Sequence, residues 1–161
     1  MRKILTSMVA TLVILGALFA FSGVATADKP TAITFEWVLT QNTQGPLINE
    51  GPWSASGVVS DSGDMVQYLH MRPNKPALSE TTLTSDLGTI RICSVAQTIA
   101  VISEDPFIVR IEGIWFITGG TGAYAQLSGH GTEVVEVNVD LAIQGLPSNF
   151  GTQTGTAHLP H

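Results

Sequence analysis

Glu133 holds the most chemical promise in this sequence. From residue 127 to 141 every second position is apolar or glycine: Leu127, Gly129, Gly131, Val135, Val137, Val139 and Leu141, with Glu133 interrupting the series. A carboxylate on the apolar side of a strand is costly unless it is paired or hydrated. Two readings follow. Glu133 sits in water near a barrel mouth, which is the plainer expectation, or its pKa is raised and it serves a bound ligand as acid or base. Gln67 shares a face with Met65, Leu69 and Met71. It either donates a hydrogen bond inside a cavity or faces a neighbouring subunit. Arg110 and Glu112, two apart on one strand, read as an exposed or interface ion pair.

Other reactive residue types are poorly placed for chemistry. Cys93 is the one cysteine, and no histidine stands at a telling distance from it, so a half-buried free thiol is expected rather than a nucleophile. His70, His130, His158 and His161 show no metal-ligand spacing; His130 and His158 could meet across strands, but two histidines make a weak site. No metal and no cofactor are expected. No Gly-x-Ser-x-Gly element occurs, which disfavours a hydrolase. Gly119, Gly120 and Gly122 look at first like a phosphate loop. Such a loop needs a helix directly after it, and here the chain returns to strand periodicity with no lysine following.

The elements that must position these residues are strands. Residues 107–117 and 127–141 alternate on either side of the glycine corner at 119–125. Residues 32–40 put Ile33, Phe35, Trp37 and Leu39 on one face. Residues 53–60, 65–71, 89–96 and 152–159 are further strands, 81–85 a weaker one, and 97–102 either extends its predecessor or stands alone. Breakers predict loops at 41–52, 72–80 and 145–151, and a tight turn at 61–64. No window of eleven residues has helical periodicity after residue 27. Seven or eight strands with turns between them predict an all-β sandwich or barrel. Gly129 and Gly131 share a strand face and predict sharp bending or a bulky neighbour, with Trp115 placed to lie over them.

Residues 1–27 read as a secretory signal peptide. Arg2 and Lys3 precede an uncharged apolar run, and Ala25-Thr26-Ala27 is a small-x-small cleavage site. An uncleaved anchor is the rival reading. Cleavage leaves five Lys and Arg against thirteen Asp and Glu, a formal charge of −8. So acidic a chain, with no basic stripe, argues against nucleic acid and anionic membrane surfaces as partners. With one cysteine no internal disulfide can form, so stability rests on the core of a single domain spanning 28–161.

The run Gly113-Ile114-Trp115-Phe116-Ile117-Thr118-Gly119-Gly120-Thr121-Gly122-Ala123-Tyr124-Ala125-Gln126-Leu127-Ser128-Gly129-His130-Gly131-Thr132 resembles the hairpin of the allene oxide cyclase-like and dirigent-like β-barrel proteins, in particular exported bacterial members. The resemblance covers about twenty residues. It implies an eight-stranded antiparallel barrel, a cavity for a small apolar molecule, cofactor-free cyclisation or isomerisation, and a tendency to trimerise. No catalytic residue is carried over, because the family's carboxylates lie where no motif is shared. Glu133, Gln67, Phe35, Trp37, Trp115 and Tyr124 are the candidate pocket residues, with Tyr124 expected to plug a barrel end. Against the ligand-binding barrel stands a non-catalytic barrel with a filled interior. The size of the inward side chains decides between them.

Overall fold

The computed structural model describes residues 29–42 and 47–160; the signal-peptide reading and the Gly45-Pro46 breaker lie outside them. Eight antiparallel strands close into a barrel in chain order: β1 (Thr31–Asn42), β2 (Ile48–Gly57), β3 (Asp61–His70), β4 (Leu78–Ser85), β5 (Gly88–Glu104), β6 (Phe107–Gly120), β7 (Ser128–Asn138) and β8 (Pro147–His158). A helical turn, α1 (Val139–Ile143), joins β7 to β8. Each strand pairs with its sequence neighbours, and β1 closes on β8. Closure leaves no full-length edge and forces side chains to alternate between interior and exterior.

One half of the interior is packed. Ile33, Phe35, Trp37 and Leu39 of β1 point inward together with Trp53, Met65, Leu83, Ile90, Ile92 and Trp115. Phe35 meets the edge of Trp115 with centroids 5.7 Å apart and planes at 85°, and lies 6.3 Å from Trp53. Such tilted contacts suit the ring quadrupole. Indoles this large need opposing positions without side chains. Gly131 and Gly155 pair directly, and a Cβ on Gly155 would come within 2.8 Å of the Trp115 ring. The indole N–H then reaches two carbonyls, Thr132 at 3.0 Å and Thr154 at 3.2 Å. The reason for glycine at 129 and 131 is therefore mainly the close approach of β8, with Trp115 packed beside it.

At the corner, Gly122 has φ +59° and opens a 3-10 turn over Gly122–Tyr124. The backbone N–H of Ala123 donates to Leu87 O, so the corner is stitched to the β4–β5 turn. The sequence expectation of a structural bend rather than a phosphate loop agrees with this geometry.

Several boundaries differ from the sequence expectations, each for a local reason. The strand expected to reach Leu141 ends at Asn138, whose side chain accepts from the Leu141 N–H at 3.1 Å and caps α1. The turn expected at 61–64 is strand; the chain reverses just before it, where Gly57 takes φ +102°. Pro52 was expected in a loop but lies within β2, where the β1 ladder skips from Trp37↔Trp53 to Thr40↔Glu50 and asks for no donor. Pro147 likewise opens β8 rather than a loop. Residues 89–96 and 97–102 form a single strand, with register shifts after Ala96 and Val101.

Candidate functional site

The packed half gives way to a polar layer and then to an opening. Asn49, Gln67, Ser79, Ser94, Glu133, Asn149 and Gln153 are all buried inside the barrel. They sit on five strands plus β8, each placed inward by the same alternation that buries the aromatic residues. Above them is a cavity of about 90 Å³, walled by Leu69, Leu78, Ile99, Ile111, Val135 and Val137, and open at the barrel mouth.

Glu133 is only 5 % exposed, which overturns the expectation of a carboxylate standing in water. It faces Gly113 across the β6–β7 pairing, and a Cβ there would approach Oε1 to 3.2 Å. Gln153 Nε2 donates to Glu133 Oε2 at 3.0 Å and to Ser94 Oγ at 3.2 Å. Burial pushes the Glu133 pKa above the usual carboxylate range, opposed by the hydrogen bonds from Gln153 and Ser94. No lysine, arginine or histidine lines the cavity to pair with it. The group is thus a carboxyl held by two neutral partners and biased toward its protonated form.

Gln67 points into the barrel rather than toward a neighbouring subunit. It accepts where it was expected to donate: Asn149 Nδ2 donates to Asn49 Oδ1 at 3.2 Å, and Asn49 Nδ2 donates to Gln67 Oε1 at 2.8 Å. This relay leaves the Gln67 amide N–H groups without a bond among the described residues, beside the cavity they line.

The aromatic candidates lie elsewhere. Phe35, Trp37 and Trp115 belong to the packed half, and none of them lines the mouth cavity. Tyr124 is buried at the far end, where its hydroxyl donates to Asp61 Oδ2. Burial, reinforced by Asp61, pushes its pKa up to about 12. Arg110 forms the exposed pair with Glu112 at 2.9 Å and also reaches Glu136 at 3.4 Å. Cys93 is half-buried on the outer face between Glu80 and Phe116, with its pKa raised by burial and by Glu80 and Glu133, the reverse of an activated thiol. His130 and His158 line a groove on the barrel's outside, and no cluster of three metal-ligating side chains occurs among the described residues.

Asn49, Ser94, Asn149 and Gln153 escaped the sequence reading. Gln153 had a signal: it alternates with Thr152 and Thr154, so if the threonines face out, the amide faces in. Asn49 and Asn149 had none, because both fall where proline and glycine suggest loops. Compared with known proteins, the chain matches no family model, no curated protein and no solved structure.

Proposed function

We propose that the protein is an exported barrel of the allene oxide cyclase-like type whose mouth cavity binds a small apolar molecule and steers its cyclisation or isomerisation without a cofactor. The observation that supports this reading is the pairing of an apolar, open cavity with one buried carboxyl at its base. Apolar walls supply affinity through area removed from water, and a few polar groups fix orientation. A cavity of about 90 Å³ is smaller than the ~150 Å³ that accommodates benzene. Only part of the ligand enters it, and the rest lies over the apolar rim.

In this reading Glu133 delivers a proton to one atom of the ligand and recovers one from another. The carboxyl ends as it began, the balance that an isomerisation or ring closure requires. A carboxyl whose pKa is raised by burial is better suited to delivering a proton than a solvated one, and Gln153 and Ser94 hold it in place for the second step. The Gln67 amide supplies a donor from the other wall.

The filled-interior alternative draws support from the aromatic half of the same barrel, where Phe35, Trp53 and Trp115 pack against one another. Native mass spectrometry of the protein, incubated with extracts of lipid-like compounds, separates the two. The ligand-binding reading expects a retained apolar species that is lost in a variant whose cavity is filled, Val135→Phe. A protein that retains nothing from any extract supports the filled barrel instead.

A further inference from the structure

Among the described residues, the barrel's longest strand leaves a stretch of sheet edge uncovered. β4 pairs with β5 only as far as Leu78↔Val95, with one more bond from Ala96 N–H to Ala77 O. β5 continues to Glu104, paired on one side alone, with β6. From Gln97 to Ile102 every residue is exposed, including Ile99 at 54 % and Val101 at 53 %. The run Gln97-Thr98-Ile99-Ala100-Val101-Ile102-Ser103 carries no charge and no proline. An exposed apolar edge of this kind is a template for another strand. Edges are ordinarily blunted by lysine, proline or bulges; here two register shifts flank an unbroken segment, Thr98–Val101.

We infer that this edge pairs antiparallel with the same edge of a second copy of the chain, about a two-fold axis at Ala100, so that each copy completes the open wall of the other's cavity. A two-fold axis perpendicular to a sheet requires one residue to face itself. With Ala100 on the axis, Ile99 faces Val101 of the second copy, and both pairs lie inside the unbroken segment. Apolar groups meet at the centre, and the smallest side chain sits where two identical ones must fit. No like charges are opposed, in a chain whose net charge of −6 would repel a copy over most other surfaces. The contact is isologous and closes at two copies, in contrast to the three that the family resemblance implies.

The same register reaches the cavity. Ile99 pairs with Ile111 and both line it; Val101 pairs with Val109, whose partner Val137 lines it too. Ile99 and Val101 therefore point to the inner side of the sheet. Facing residues of an antiparallel pair point to the same side. The second copy thus brings its own Ile99 and Val101 onto the rim, and the two cavities open onto one shared apolar surface. This inference stands on the edge alone and survives if no ligand binds.

Sedimentation velocity on the purified protein tests it, with two variants. Ala100 pairs with Arg110 of β6 on the outer face. Ala100→Lys would set two lysines face to face on the axis in a dimer, each beside an Arg110 already paired with Glu112 and Glu136, yet adds only one exposed lysine to the monomer. The expected result is a dimer for the parent and a monomer of unchanged circular dichroism and melting temperature for Ala100→Lys. In a Cys93→Ser background, Ala100→Cys should cross-link to itself on mild oxidation, while Leu87→Cys at the opposite end should not. A parent monomer with no Ala100→Cys cross-link would overturn the inference. A trimer, or open polymers unaffected by Ala100→Lys, would overturn it equally.

Discussion

Shortening Trp115 to alanine should cost far more than shortening a wall of the mouth cavity, and the difference can be worked from the structure. The Trp115 side chain is fully buried, stacked edge-on to Phe35 and seated on the Gly131–Gly155 pair. Its N–H serves two carbonyls, which lose that donor in Trp115→Ala. The surrounding rings and glycines cannot collapse into the space without moving the barrel wall. Truncations of this kind cost about 3–5 kcal/mol, a melting-temperature loss of roughly 10–20 °C for a domain of this size. Val135 is only half-buried and already borders empty space. Val135→Ala removes two methyl groups from a wall that packs on one side alone, costing about 1 kcal/mol or less. Paired urea titrations would measure both. Costs within about 1 kcal/mol of each other would refute the division into a packed half and an open half.

Other outcomes follow from the polar groups. Glu133→Gln should preserve the fold and flatten the pH dependence of stability: a carboxyl whose folded pKa is raised contributes stability below its unfolded pKa, near 4.5, and loses it as pH rises through the folded value. Parent and variant unfolding curves should therefore diverge between mildly acidic and neutral pH, with the variant the more stable at pH 7; a constant offset would argue against the raised pKa. Tyr124 should ionise only near pH 12, as a late step in ultraviolet absorbance that Tyr124→Phe removes. The absence of that late step would contradict the buried bond to Asp61. Gly151→Ala would drive a Cβ into the Trp37 ring and should cost about 1–3 kcal/mol in chemical denaturation; a neutral effect would mean that Trp37 is not seated there.

Much of the barrel was legible because alternation is strict where one face is packed. Ile33, Phe35, Trp37 and Leu39 announce β1, and the inward position of Glu133 follows from the glycines and valines around it. Legibility fails where the interior turns polar. Asn49 and Asn149 reverse the usual sign of the pattern without an apolar run around them to show it, whereas Gln67 stays legible among Met65 and Leu69. Pro52 and Pro147 hide two strand starts, since the ladder irregularities that admit them depend on partners far away in sequence. The aromatic residues were the natural candidates for a ligand wall by type alone. Which half of the barrel they fill depends on the strand stagger, which no single segment encodes.

Methyl-detected NMR of the isoleucine, leucine and valine side chains, titrated with a small alicyclic alcohol such as cyclohexanol, tests the ligand-binding claim most directly. The account expects saturable shifts at Leu69, Leu78, Ile99, Ile111, Val135 and Val137, no shifts at Ile33 or Leu83, and loss of the effect in Val135→Phe. Shifts confined to the outer groove near Ile117, or none at any of these methyls, would contradict it.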